Sequence, residues 1–250
     1  TEVSVALERV FIPSKIRDNP RLLDTQPTYL LQLKQTGSEA LVRAWRDGDW
    51  DMIQGAYFDD FSPDRHVYSS SIILPAHWTR FRAFDWGSAK PFSCGWYAVA
   101  DGKSLGFPEG ALLKYREFYG WNGTPNVGLR MSALAVGKAI FERDLEEAKL
   151  GRNITYGLAD PSIFAEDGGP SIAESMLSGG CQWARADNKR IPGWEQMHVR
   201  FQADPPLLYF SDACEHTIRC VSSVQHDETK PEDLDTEGED HAVDETRYAC

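Results

Sequence analysis

The chain has 250 residues, of which 42% are hydrophobic, and this is enough for one large domain or for a domain with an appendage. Its formal net charge of −12 argues against tight, sequence-independent DNA binding, which depends on Lys and Arg neutralising phosphates. No apolar run approaches the roughly 20 residues that cross a bilayer, so we expect no membrane partner. Five scattered cysteines favour a reducing compartment. Because the chain starts at Thr1 without an initiator Met, we expect a piece of a longer protein or a processed product.

Residues 1–70 differ in pattern from the rest of the chain. The stretch 6–13 suits a short strand, and residues 27–51 carry apolar positions at helical spacing, broken at Gly37, as in two short helices. Residues 55–67 are aromatic and loop-like. Nothing here groups a nucleophile, a base and an orienting residue. We therefore interpret residues 1–70 as an arm or linker that leads into a main domain of residues 71–250.

From residue 78 the pattern becomes α/β. The stretches 78–87, 92–101 and 111–121 are rich in aromatic and apolar residues and are punctuated by Gly or Pro, which predicts three strands joined as hairpins. A long amphipathic helix is predicted over 128–151, with Leu134, Ile140, Phe141 and Leu145 among its apolar stripe.

Strands and helices alternate after this helix. The predicted elements are a strand at 153–162, a helix at 171–180, a strand at 181–187, a helix at 192–201, a strand at 205–210, a helix at 212–224, a loose acidic connector at 226–239 and a terminal helix at about 239–249. Three antiparallel strands, a helix and then parallel strands alternating with helices predict an α/β fold, an RNase H-like mixed sheet flanked by helices.

Three aspartates occupy positions suited to one site. Asp85 ends a predicted strand, Asp160 ends a later strand just before a Pro, and Asp244 lies on the terminal helix one turn after Asp240 and His241. In a mixed sheet, adjacent strand ends and a helix packed across them can bring three such carboxylates together. Simpler alternatives remain open from the residues alone: a strand-end Asp that caps a turn, an Asp-Pro turn and a solvated acidic helix.

A cluster of carboxylates predicts a particular class of metal. Three acids held close together repel and raise one another's pKa unless a cation lies among them. Oxygen ligands without thiolates favour Mg²⁺ or Mn²⁺. Two such ions about 4 Å apart activate a water and stabilise the leaving oxygen of a phosphodiester. Lys90, Lys189 and Arg190 are candidate phosphate contacts, although a turn and a helix start are the simpler explanation of the last two.

The chain resembles the C-terminal nuclease region of large terminase subunits, the DNA-packaging motors of tailed bacteriophages. The resemblance covers nearly the whole chain in order, through the blocks "FIPSKIRDNPRL", "PTYLLQL", "GDWDMIQGAYFDDF", "FRAFDWGSAKPF", "YREFYGW", "YGLADPS", "ADNKRIPGWEQ" and "EDHAVDETRY". The first three of these blocks resemble the stretch that follows the ATPase core in this family.

The resemblance implies both a site and a setting. It implies an RNase H-like endonuclease whose three acids fall on Asp85, Asp160 and Asp244, with His241 or Asp240 as an additional ligand of two Mg²⁺ or Mn²⁺ ions. The implied substrate is concatemeric double-stranded viral DNA in the host cytoplasm. The implied partners are the terminase small subunit, the portal protein and the ATPase domain of the same parent polypeptide.

One departure and two alternative functions accompany this resemblance. No Gly-x4-Gly-Lys-Ser/Thr motif occurs, so we expect no ATP hydrolysis from this chain. The first alternative function is that of a junction resolvase or transposase-type nuclease, which uses three acids on the same scaffold. A non-catalytic docking module of the packaging motor, with the acids as a solvated surface, fits the net charge better than avid DNA binding does.

Overall fold

The computed structural model describes residues 56–250, apart from residues 167, 228–229, 231 and 236–237. Most of the expected arm, including its predicted strand and both predicted helices, therefore lies outside the described residues. The described part of the arm packs with the domain. Tyr57 and Phe58 are buried in the main hydrophobic core, and Val67–Tyr68 forms a strand of the sheet, although the sequence predicts a loop up to residue 67.

The described part of the chain is built on a seven-stranded mixed sheet with the order β1-β7-β4-β3-β2-β5-β6. The strands are β1 (Val67–Tyr68), β2 (Arg80–Asp85), β3 (Ser93–Val99), β4 (Leu112–Tyr119), β5 (Ile154–Ala159), β6 (Ala184–Arg185) and β7 (Leu208–Ser211). Strands β2, β3 and β4 pair antiparallel, as the sequence predicts. Strand β5 pairs parallel with β2, and β7 pairs parallel with β4, so later strands extend both sides of the central meander.

Six α-helices cover this sheet in the described residues. They are α1 (Pro63–His66), α2 (Ala133–Lys149), α3 (Ile172–Ser178), α4 (Arg190–Gln202), α5 (Glu215–Ser223) and α6 (His241–Ala249), and a 3-10 helix spans Pro161–Phe164. Alternate residues of β2 enter different cores because successive strand side chains point to opposite faces. Phe81 packs in the core formed with α4, α5 and α6, whereas Phe84 packs in the core formed with α2 and α3. Asp85 has the same parity as Phe81, which directs it to the α6 side of the sheet.

Helix α2 buries only part of the predicted apolar stripe, of which Ile140 is a buried member. Leu134 and Leu145, two members of the predicted apolar stripe, are exposed, while Val136, Gly137 and Ile140 are buried. A Cβ atom on Gly137 would lie 2.7 Å from the carbonyl oxygen of Met176 in α3. Gly137 thus permits close packing of α2 against α3, and the helix face that carries Val136 and Ile140 is the buried one.

The acidic connector at 226–239 is not loose where the structure describes it, so this prediction is wrong for those residues. Leu234 is 1% exposed within the main core. Asp233 accepts hydrogen bonds from Trp194 Nε1 at 3.0 Å and from Arg190 Nε at 3.0 Å. One apolar anchor and one paired carboxylate thus fix a segment whose composition is otherwise acidic.

Candidate functional site

The ends of β2 and β5 place two carboxylates at one edge of the sheet. Asp85 is the last residue of β2, and Asp160 directly follows β5. The two strands are parallel neighbours with Phe84 opposite Ala159, so their carboxyl ends meet. The backbone N–H of Asp160 donates to the carbonyl oxygen of Phe84 at 3.3 Å. The pairing of the strands therefore brings together these two residues, as the sequence pattern predicts.

Helix α6 binds to both strand ends. His241 Nδ1 lies 2.7 Å from Asp85 Oδ2, and Tyr248 Oη donates to Asp160 Oδ2 at 2.6 Å. Seven residues separate His241 from Tyr248, which is about two helical turns, so both side chains lie on one face of α6. Asp244 lies between them in the sequence.

A cavity of about 480 Å³ opens between these elements. All five predicted metal ligands line this cavity, namely Asp85, Asp160, Asp240, His241 and Asp244. Its other lining residues are Lys90, Ser162, Asn188, Arg190, Arg247 and Tyr248. Acidic and basic side chains thus line the same cavity, and the structure brings together every acid that the sequence singled out for the site.

Burial and mutual repulsion perturb the acids of this cavity. Burial, together with the charges of Asp244 and Asp240, raises the pKa of Asp85 to about 7, although the hydrogen bond with His241 opposes the shift. Burial and the charge of Asp244 likewise raise the pKa of Asp240. This repulsion is the effect expected of crowded acids, and a bound cation would relieve it.

Hydrogen bonds shift the pKa values of Asp160 and His241 in the direction that favours their charged forms. Burial alone would raise the pKa of Asp160, but the hydrogen bonds from Ser162 and Tyr248 outweigh burial and lower it. Burial alone would lower the pKa of His241, but its hydrogen bond with Asp85 and the charge of that residue raise it. Asp160 is therefore ionised at neutral pH, and His241 stabilises the carboxylate form of Asp85.

The third acid is held by arginine side chains that the sequence did not single out in this role. Arg247 donates to Asp244 Oδ1 through Nε at 3.0 Å and through Nη2 at 2.6 Å, and Arg190 Nη1 lies 3.8 Å from Asp244 Oδ2. In the part of the chain that the structure describes, no three His, Cys, Asp or Glu side chains are arranged to hold one metal ion together.

The donor types nevertheless fit a hard divalent cation. Four carboxylates line the cavity, and thiolates do not contribute to its described lining. His241 Nε2 is buried without a hydrogen-bond partner among the described residues, so this nitrogen could serve as an additional metal ligand. A cation bound here would also replace the arginine charge that now neutralises Asp244.

The candidate phosphate contacts fall into two groups. Lys90 and Arg190 line the cavity, but Arg190 also binds Asp233 through Nε. Lys189 is not among the lining residues, and its exposed side chain lies 3.5 Å from Asp187. The geometry therefore favours Lys90 and Arg190 over Lys189 as contacts for a phosphate in the cavity.

Comparisons with known proteins give structural matches only. None of the described helices is both long and apolar enough to span a membrane. Neither a scan against protein-family models nor a search of curated proteins finds a match. Among solved structures, the large terminase of a thermophilic bacteriophage in complex with ATP-gamma-S aligns with a TM-score of 0.60 and 18% identity, over 94% of this chain and 54% of that chain.

A second match is to a separate nuclease domain. The P22 large terminase nuclease domain aligns with a TM-score of 0.59 and 12% identity, over 80% of this chain and 92% of that one. This chain spans about half the length of the large terminase from the thermophilic bacteriophage. The order and direction of the strands agree with the RNase H-like arrangement predicted from the sequence. The chain therefore has the α/β, RNase H-like fold of large terminase nuclease domains.

Proposed function

We propose that this chain is a divalent-metal-dependent endonuclease that cuts concatemeric double-stranded viral DNA during genome packaging by two-metal phosphodiester hydrolysis. One observation carries the proposal. Asp85, Asp160 and Asp244 line a single cavity on a terminase nuclease fold, although the three residues lie far apart in the sequence.

Each residue of the cavity has a role in this proposal. Mg²⁺ or Mn²⁺ ions in the cavity would supply an activated water and stabilise the charge on the leaving oxygen. Asp85 would serve both ions, and Asp160 and Asp244 would each hold one. The 2.7 Å contact with His241 favours the ionised form of Asp85, although burial still raises the pKa of Asp85 to about 7, and His241 or Asp240 would add a ligand.

The wider setting is part of the same proposal. The substrate would be presented by the ATPase domain of a longer parent polypeptide, with the terminase small subunit and the portal protein as partners in the host cytoplasm. A net charge of −12 predicts weak DNA binding by this chain alone, because its 38 acidic residues outnumber the 26 Lys and Arg that could neutralise phosphates. Lys90 and Arg190 would contact the phosphate that enters the cavity.

Cleavage of supercoiled plasmid tests the nuclease directly. We expect the purified chain to nick or linearise plasmid in the presence of Mn²⁺, and Asp85→Asn to abolish this activity. Asp212→Asn is a matched control, because Asp212 directly follows strand β7 but does not line the cavity. Intact plasmid with the parent chain, or equal cutting by Asp85→Asn, would exclude the proposed activity.

A docking module of the packaging motor is the second candidate, and the pairing of Asp244 with Arg247 favours it. A docking module would melt at the same temperature with and without Mn²⁺, whereas a metal site stabilises the folded state when it is filled. A junction resolvase would instead cut four-way junctions in preference to linear duplex.

A further inference from the structure

Arg247 is fixed within the wall of the cavity. Its side chain is only 3% exposed, and its guanidinium lies 4.7 Å from the ring centre of Trp194 and 4.5 Å from that of Tyr248. Gly193 makes room for its aliphatic part, since a Cβ atom there would lie 2.6 Å from Arg247 Cγ. Aromatic contacts and close packing therefore hold the guanidinium beside the acids.

The guanidinium has hydrogen-bonding capacity that Asp244 does not use. Nε and Nη2 both donate to Asp244 Oδ1, whereas Nη1 is buried without a hydrogen-bond partner among the described residues. A buried donor without a partner is costly, so Nη1 provides a place for a second acceptor. The planar guanidinium matches a phosphate group, which accepts two parallel hydrogen bonds from it.

We propose that Arg247 is a substrate-phosphate contact that is held on Asp244 until a divalent cation takes that carboxylate. The inference rests on the proposed function, because it needs a metal at Asp244. Arg247 and a cation would compete for the Asp244 carboxylate, because two positive groups beside the same carboxylate repel each other. Arg247 therefore weakens metal binding before DNA arrives and binds the phosphate afterwards.

This dual role predicts that removing the Arg247 charge strengthens metal binding but slows cleavage. Arg247→Met keeps an aliphatic side chain against Trp194 but removes the charge. Arg116→Met is the matched control, because Arg116 also pairs with acids, Glu146 and Glu147, and lies 5.5 Å from the ring centre of Trp96, outside the cavity. The melting temperature of the full chain is titrated with Mn²⁺, and plasmid cleavage is measured at saturating Mn²⁺.

We expect Arg247→Met to reach half of its melting shift at a roughly tenfold lower Mn²⁺ concentration, which corresponds to the loss of one charge-assisted contact. Its cleavage rate should fall roughly a hundredfold to a thousandfold, as expected when a donor that stabilises developing charge is removed. Arg116→Met should change neither quantity. If Arg247→Met does not fold, Arg247→Lys replaces it, and we expect its Mn²⁺ midpoint to stay near that of the parent chain while cleavage falls.

Three results would overturn the inference but leave the proposed metal site standing. A Mn²⁺ midpoint for Arg247→Met equal to that of the parent chain would show that no competition exists. A higher Mn²⁺ midpoint for Arg247→Met together with slower cleavage would assign Arg247 a purely structural role. Full cleavage by Arg247→Lys would show that the phosphate does not need the two parallel hydrogen bonds of a guanidinium. If the parent chain itself shows no Mn²⁺ shift, the proposed metal site fails and this inference fails with it.

Discussion

His241 Nδ1 lies 2.7 Å from Asp85 Oδ2, and this contact joins the last helix to the second strand of the sheet across 156 positions in the sequence. The two side chains support each other electrostatically, because the hydrogen bond lowers the pKa of Asp85 against the larger effect of burial and raises the pKa of His241. The contact therefore links the docking of α6 to the charge of the central acid.

Loss of this contact should impair cleavage more than folding. We expect His241→Gln to slow Mn²⁺-dependent plasmid cleavage by about tenfold to a hundredfold, the usual cost of removing a group that orients or joins a metal ligand set. His198→Gln is the matched control, since His198 Nδ1 lies 2.7 Å from Asp60 Oδ2 outside the cavity. Equal losses of cleavage in the two variants would show that the His241 contact has no special role.

Tyr248 should act through Asp160. Its hydroxyl group donates to Asp160 Oδ2 at 2.6 Å, so Tyr248→Phe leaves that carboxylate less restrained and moves its pKa upward. We expect the free energy of unfolding to fall by about 1–3 kcal/mol. We also expect Tyr248→Phe to need a higher Mn²⁺ concentration than the parent chain to reach half of its melting shift. In the control Tyr57→Phe, which removes a 2.8 Å hydrogen bond to the Glu232 carbonyl oxygen, only stability should change. A Mn²⁺ midpoint unaltered by Tyr248→Phe would contradict this role.

A buried ion pair anchors α6 to the sheet next to Asp244. Lys114 Nζ donates to Glu245 Oε2, both side chains are 0% exposed, and Lys114 Nζ also donates to Thr217 Oγ1 at 2.6 Å. Gly95 lies against this pair, since a Cβ atom there would be 2.3 Å from Glu245 Oε1. Lys114→Met leaves a buried carboxylate without its cation and should cost about 3–5 kcal/mol in urea unfolding.

The double variant Lys114→Met with Glu245→Met provides the control for this pair. Because it removes both charges, we expect it to recover most of the stability that Lys114→Met loses. If the double variant is destabilised by the sum of the two single effects, the charges do not interact and the pair does not anchor the helix.

His66 predicts how stability depends on pH. Its ring is 0% exposed, Nε2 lies 3.0 Å from the Phe201 carbonyl oxygen, and burial lowers the pKa of His66 despite the backbone hydrogen bonds. Below about pH 6.5 the unfolded chain binds a proton at this residue that the folded chain does not. The contribution of neutral His66 is therefore present above that pH and is lost as the pH falls, by up to about 1.4 kcal/mol per pH unit.

Unfolding measured between roughly pH 7.5 and pH 5, a range that extends from about one unit above to about 1.5 units below the ordinary His pKa, checks this dependence. We expect His66→Gln to flatten the fall in the free energy of unfolding relative to the parent chain, although it lowers stability at pH 7.5. Parallel curves for the two proteins would show that His66 titrates normally in the folded state.

The positions of Asp85 and Asp160 could be predicted because strand ends are visible in the sequence. Each follows an apolar strand, and parallel neighbours end at the same edge of a sheet. The contribution of α6 was also predictable in part, since His241 and Asp244 are three residues apart and share a helical face.

Tyr248, Arg247 and the Lys114–Glu245 pair were not identified, because their roles depend on tertiary contacts. Arg247 reads as an ordinary charge near the end of the chain, and only packing against Trp194 shows that it is buried. The acidic composition of the connector predicts a loose segment, yet Leu234 packs in the main core and Asp233 pairs with Arg190 and Trp194. Strand β1 has two residues and is too short to show any periodicity.

Crystals of the chain soaked with Mn²⁺ test the central claim most directly, because anomalous scattering locates the ions relative to the three acids. The account predicts Mn²⁺ within roughly 2.0–2.3 Å of carboxylate oxygens of Asp85, Asp160 and Asp244, as is usual for oxygen ligands of small divalent ions. It also predicts that Arg247 no longer binds Asp244 in the soaked crystal. A cavity without anomalous density, with Asp244 still paired to Arg247 at saturating Mn²⁺, would contradict the account.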